Sequence, residues 1–166
     1  MTTVPRVSIV MGSDSDVPTM REAAAVLELF HVAHELVISS AHRAPDKTTA
    51  YAKGARARGV QVIIAAAGYA AHLAGVVAAQ TTLPVIGVPL AVSALQGVDA
   101  LLAMGQMPAG IPVATVTIGV AGAKNAAHLA VQILALSDPQ LAAALTQYRT
   151  DLAAEVDKKD AALRNS

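Results

Sequence analysis

The chain contains no cysteine, no tryptophan and a single phenylalanine among its 166 residues. The first absence removes disulfides, thiolate metal sites and cysteine nucleophiles from consideration. Aromatic residues make up only 2% of the chain and no Lys/Arg run is present, so no nucleic-acid partner is expected; a polynucleotide track needs cations for phosphates and flat rings for bases. Charge of either sign is scarce too: twelve basic residues balance twelve acidic ones, and charged residues amount to 14%. Against 54% hydrophobic residues, that leaves a monomer short of polar covering, and burial of surface between identical subunits, a homo-oligomer, is expected. The opening MTTVPRVSIVMG lacks a basic segment followed by a long apolar core and cleavage site. It reads as a first strand, and the expected location is cytoplasmic.

One apolar run, residues 62–79 (VIIAAAGYAAHLAGVVAA), carries no formal charge over 18 residues, the lower edge for a membrane span. Gly68, His72, Gly75 and the weak hydrophobicity of alanine argue against spanning, and the β-branched opening suits a buried strand. Strand, loop and helix are expected there, with no membrane partner.

Short β-branched runs alternate with Ala-rich helical stretches along the whole chain. Strands are predicted at 6–11, 35–38, 62–66, 85–88 and 113–118. Helices are predicted from Pro18 to about Phe30, from Asp46 to Arg58 with Gly59 closing it, to about Gln80, near 97–104, from Lys124 to Leu136 and from Pro139 to about Lys158. Continuous apolar strands separated by helices imply a parallel sheet covered on both faces. The expected fold is a three-layer α/β/α sandwich around a five-stranded parallel sheet, flavodoxin-like, in a single domain over 1–166 with its core at about 6–136 and a C-terminal helical extension at about 139–160.

In such sheets the ligand crevice lies beyond the carboxyl ends of the strands. Five loops fall there: 12–16, 39–45, 67–72, 89–94 and 118–124. In the first, Ser13 and Ser15 with a helix N-terminus suit an anion, while Asp14 and Asp16 suit either a helix cap or a sugar hydroxyl. In the second, Ser39-Ser40-Ala41-His42-Arg43-Ala44-Pro45 sets a proton carrier active near neutral pH beside a fixed cation and two hydroxyls. A surface salt bridge is the plainer explanation for His42 and Arg43 taken alone, as a packed core histidine is for His72. His31, His34 and His128 suit surface or packing positions, and no metal or cofactor is expected. Lys124 and Asn125 stand either at the crevice or in a solvated first helical turn. The rigid Gln106–Pro112 turn suits a pocket wall or a subunit contact.

Taken together, MGSDSDVPTM, SSAHRAPD, AAGYAAHLAG, TTLPVIGVPL, LLAMGQMPAGIPVATV and AGAKNAA, in this order and spacing, resemble the N5-carboxyaminoimidazole ribonucleotide mutase family of purine biosynthesis. The likeness spans about residues 6–136, and SAHR-[TA]-P with QMP-x-G-[IV]-PV is its specific part. It implies an isomerase that moves a carboxylate from the carbamate nitrogen to C4 of aminoimidazole ribonucleotide by decarboxylation and recarboxylation, without metal or cofactor. It further implies an octamer with sites near subunit boundaries. Carried over by position, Ser13, Asp16, Ser40, Arg43 and Gly68 would bind the ribonucleotide, Arg43 at its phosphate. His42 would carry the proton and His72 would be the second active-site histidine. The AAHL motif favours the mutase over related carboxylases that take free CO2, and the nickel-pincer carboxylases would need the missing cysteine.

Two departures stand against the family's usual AGGAAHLPG: Tyr69 occupies a glycine position and Ala74 a proline position. Leu90-Ala91-Val92-Ser93 is also more apolar than the family pattern. A phenol at Tyr69 is expected to add bulk where the migrating carboxylate would sit. Three readings follow: a mutase with Tyr69 outside the pocket, a paralogue for another ribonucleotide or carboxylate, or a nucleotide-binding homologue without turnover.

Overall fold

A computed structural model describes residues 4–165. Five strands, β1 (Val7–Met11), β2 (His34–Ile38), β3 (Val62–Ala67), β4 (Val85–Pro89) and β5 (Ala114–Thr115), form one sheet in the order β2-β1-β3-β4-β5. Every pairing is parallel, and the register sets Val7 beside both His34 and Val62, Ile63 beside Val85, and Ile86 beside Ala114. This is the flavodoxin-like order expected from the alternating pattern. The central strands β1, β3 and β4 are buried along their whole length, which is why they read as unbroken apolar runs. β2, at the edge, buries none of its five residues fully.

The pleat divides the core. Val10, Ile63, Ala65 and Val85 share a cluster with Ala52 of α2 (Pro45–Gly54), Leu73 and Val77 of α3 (Leu73–Ala78), and Ala100 and Met104 of α4 (Val98–Gly105). Ile9, Ile64 and Ile86 stand in register as a fully buried row of the opposite parity, each contributing about 2 kcal/mol of burial. The right-handed β1–β2 crossover puts α1 (Val17–Leu29) on that side, and α5 (Gly119–Ala135), which follows the last strand, lies beside it. The two helices are neighbours: Lys124 Nζ lies 3.1 Å from Glu22 Oε2, and the His128 ring meets Phe30 edge-on at 5.8 Å.

The described chain separates into two compact units, one ending at Val131 and one starting at Gln132. In the second, Asp138 caps α6 (Pro139–Arg164) by accepting from the Leu141 N–H at 3.2 Å. The helix outruns its expected end near Lys158, since Asp160 pairs with Arg164 at 2.8 Å one turn on and supports the last turn.

Other differences have local causes. β5 holds two residues rather than six, because after the Val116 N–H bonds the Gly87 carbonyl at 3.0 Å the chain turns away to start α5 at Gly119. α2 stops at Gly54 and hands over to a 3-10 turn at Arg56–Arg58. α5 starts at Gly119, five residues ahead of expectation, so most of the expected 118–124 loop is helical. Its second glycine is required by close approach, because a Cβ at Gly122 would lie 1.7 Å from the Thr117 carbonyl oxygen. His34 opens β2 rather than following a helix. The uncharged run at 62–79 is split between β3 and α3, and among the described residues no helix is long and apolar enough to cross a membrane.

Candidate active site

Beyond the carboxyl ends of the strands lies a cavity of about 510 Å³. Ser13, Asp16, Ser40, His42, Arg43, Gly68 and His72, the whole set singled out from the sequence, line it. They come from the loops after β1, β2 and β3, and the loop after β4 adds Val92. The stretch after β5 contributes nothing, because it is the first turn of α5. Lys124 and Asn125 are likewise absent from the wall, Lys124 being committed to Glu22. The 106–112 turn does not reach this cavity either; its Gly110, Ile111 and Pro112 border a separate hollow with Thr81, Thr82 and Pro84.

The first loop is a capping box: Ser13 Oγ accepts from the Ser15 N–H at 3.3 Å, and Asp16 Oδ2 accepts from the Ser13 N–H at 3.1 Å. Asp16 therefore both caps and faces the cavity. It is 6% exposed, and burial pushes its carboxyl above the ordinary carboxylate value, opposed by the Ser13 and Ser15 hydrogen bonds and the Arg43 charge. Asp14, by contrast, is exposed and bonds its neighbours Ser13 and Ser15.

Arg43 crosses from the second loop to the first, its Nη2 donating to the Gly12 carbonyl at 2.7 Å and its Nε to Ser40 Oγ at 3.4 Å. The Ser40 hydroxyl also accepts from the Arg43 N–H at 3.2 Å. Most of the guanidinium N–H groups are left for an incoming anion. Ser39, the other hydroxyl of this loop, is turned away from the cavity: it is buried and meets Thr48 Oγ1 at 2.8 Å, while Thr48 in turn bonds the Ala44 carbonyl. That chain clips together the two ends of the segment carrying His42 and Arg43.

The two histidines meet. His42 Nε2 lies 2.8 Å from His72 Nδ1 with the rings at 85°, so one nitrogen donates and the other accepts. A proton held in that bond can be handed to a ligand from the outer nitrogen of the pair and returned to it. His72 is exposed, not a core residue, and opens α3. Arg43 and His42, although adjacent in sequence, thus face one cavity from the same loop.

The third loop is a tight turn closed by the Ala71 N–H donating to the Gly68 carbonyl at 3.0 Å. Gly68 is a close-approach position: a Cβ there would lie 2.0 Å from Val92 Cγ2 and 3.2 Å from the Leu90 carbonyl. Val92 comes from the 89–94 loop that the sequence placed at the crevice, but its contact with Gly68 was not foreseen. The apolar pattern of residues 90–93 does not name a partner, and Gly68 is 24 positions away (92 − 68). Tyr69 and Ala71 hold φ of 54° and 43°, a left-handed conformation costing about 1–2 kcal/mol for a residue with a Cβ. The expected bulk of Tyr69 is not packed into the cavity, for the side chain is 64% exposed on its rim. Ala74 is fully buried inside α3. Among the described residues no group of three or more His, Asp or Glu is gathered as a metal site.

The family described as AIR carboxylase matches residues 6–155. Curated relatives named N5-carboxyaminoimidazole ribonucleotide mutase include one from Synechocystis, 57% identical over 96% of this chain and 89% of its own length. Others come from Pyrococcus abyssi, 56% identical over 90% of this chain and 84% of its own length, and Mycobacterium tuberculosis, 54% identical over 96% and 91%. Among solved structures, Treponema denticola PurE superimposes with a TM-score of 0.86 at 29% identity, covering 95% of this chain and 97% of its own. With a family match over residues 6–155 and relatives more than half identical across nearly all of its length, the chain belongs to the AIR carboxylase family.

Proposed function

We propose that this protein is an N5-carboxyaminoimidazole ribonucleotide mutase, an isomerase of purine biosynthesis that shifts a carboxylate from the exocyclic nitrogen to C4 of the imidazole. The observation that carries the reading is the His42–His72 pair set beside Arg43 on one cavity wall, in a chain 52–57% identical to relatives bearing that name.

The chemistry fits those groups. Cleavage of the carbamate N–C bond returns its electron pair to nitrogen, which needs a proton, and protonated His42 supplies it. The products, CO2 and aminoimidazole ribonucleotide, stay together; C4 then attacks CO2, and His42, now neutral, takes the C4 proton and regains its starting state. His72 shares the proton and fixes the tautomer of His42. Arg43, with Ser13, Ser40 and Asp16, holds the phosphate and ribose end, and Gly68 lets the β3 and β4 loops close the other end. The residues invoked need neither metal nor cofactor to balance this cycle.

Retention of CO2 demands an enclosed site. In the single chain His42, Arg43 and His72 are all exposed, which supports closure of the cavity by a neighbouring copy. The full protein is therefore a homo-oligomer, an octamer by its family likeness, acting as one domain with a C-terminal helical extension in the cytoplasm. The test is incubation with N5-carboxyaminoimidazole ribonucleotide, without ATP or added metal, and identification of the product. The 4-carboxy isomer is expected; unchanged substrate, or aminoimidazole ribonucleotide at the spontaneous rate alone, overturns the assignment. Native mass measurement tests the octamer.

A further inference from the structure

Tyr69 is the first central residue of the Gly68–Ala71 turn, with φ of 54°. Turns with positive φ at that position are made by Gly, Asn or Asp, because a Cβ crowds the neighbouring carbonyl. A tyrosine there would ordinarily be compensated by burying its ring. In the single chain it is not: Tyr69 is 64% exposed, and among the described residues its hydroxyl has no hydrogen-bond partner and its ring no stacking partner. The turn nevertheless puts the phenol on the rim of the cavity, next to His72 and the apolar wall of Ala71, Leu73 and Val92.

Side-chain contacts divide the lining into two groups. Arg43 bonds Gly12 and Ser40 beside the Ser13–Asp16 capping box, a group suited to a phosphate and a sugar, while His42 bonds His72 of the loop that carries Tyr69. A ribonucleotide anchored by its phosphate at Arg43 must direct its heterocycle toward the histidines, and so toward Tyr69. From the strained backbone, the unpartnered ring and this division together, we infer that Tyr69 is a substrate-binding residue whose ring stacks on the imidazole face of the ribonucleotide. The inference deepens the proposed function and rests on it. Stacking supplies the contact that the free chain withholds from the phenol, and it covers the heterocycle while CO2 is in the site.

The test compares wild type, Tyr69→Phe and Tyr69→Gly by calorimetric titration with aminoimidazole ribonucleotide and with ribose 5-phosphate, which lacks the ring. Glycine suits the positive φ, so the Gly variant keeps the turn. Loss of a base–aromatic stack is expected to weaken ribonucleotide binding roughly 5–10-fold in Tyr69→Gly while ribose 5-phosphate changes less than about twofold. Tyr69→Phe should bind both as wild type does. Unchanged or tighter ribonucleotide binding by Tyr69→Gly overturns the inference, and so does equal weakening of both ligands or loss of the native assembly mass. Wild-type turnover measured alongside separates the two claims. An active wild type with unaltered Tyr69→Gly binding defeats stacking alone, whereas a wild type that neither binds nor turns over the ribonucleotide defeats both.

Discussion

Replacing Gly68 with alanine puts a methyl group 2.0 Å from Val92 Cγ2 and 3.4 Å from Val92 Cβ. Carbon atoms rest about 3.5–4.0 Å apart, so one side must yield by about 1.5 Å. The backbone cannot give much, for the Leu90 carbonyl stands at 3.2 Å and the Leu90 N–H is bonded to Ala67 O at 3.0 Å. Val92 can, since it is 45% exposed, but its β-branched side chain has few rotamers to choose from. Overpacking of this kind costs about 1–3 kcal/mol. For a chain of this size, a loss of about 2 kcal/mol lowers Tm by roughly 4–8 °C. The displaced Val92 also opens the cavity wall, so ribonucleotide affinity should fall with stability. The assay is a double-mutant cycle by thermal unfolding with Gly68→Ala, Val92→Ala and the pair together. Truncating Val92 removes the clashing methyl, so the double variant should melt close to Val92→Ala, with a coupling of more than about 1 kcal/mol. Strictly additive losses, or a Gly68→Ala variant as stable as wild type, would refute the close-approach argument.

Four further outcomes are expected. His42→Asn should lower kcat by about 10²–10⁴-fold, while the ribonucleotide Kd from titration stays within about threefold, because the group moves protons and does not anchor charge. Arg43→Ala should instead weaken ribonucleotide and ribose 5-phosphate binding together, by about 10–100-fold, the worth of hydrogen bonds to a charged group. Asp16 holds its proton more tightly folded than unfolded, since burial dominates its environment. Its contribution to stability is therefore fullest below the unfolded carboxylate value and declines as pH rises through the folded one; urea midpoints against pH should show that decline, and Asp16→Asn, which keeps an oxygen for the Ser13 N–H, should flatten it. Tyr51→Phe should cost about 1–3 kcal/mol in the same unfolding assay, since the Tyr51 hydroxyl donates to Glu35 Oε1 at 2.6 Å and also meets the fully buried Ser8 hydroxyl.

Much of the fold was legible because its signals are local. β1, β3 and β4 are buried on both faces, so Val7–Met11, Val62–Ala67 and Val85–Pro89 must be apolar at every position. The helices betray themselves by period and by Pro18 and Pro139 in their first turns. Where the pattern misled, a tertiary contact had overridden it: Gly119 and Gly122 look like a turn, yet the second admits the Thr117 carbonyl at the start of α5. Ser39 and Ser40 look equivalent in sequence, but the pleat of β2 and its continuation send one into the core against Thr48 and the other to Arg43.

Sequence alone determined the strand and helix order, the motifs that mark the family, and the residues Ser13, Asp16, Ser40, His42, Arg43, Gly68 and His72 as a candidate set. The element order follows from composition and period along the chain, and the candidate set from the family resemblance that those motifs carry. Only the tertiary structure decided that His42 and His72, thirty residues apart, share a hydrogen bond, that Val92 closes over Gly68, and that the Tyr69 phenol stands on the cavity rim. Each of these is a contact between loops after different strands, and such contacts exist only once the parallel sheet has brought those strand ends side by side.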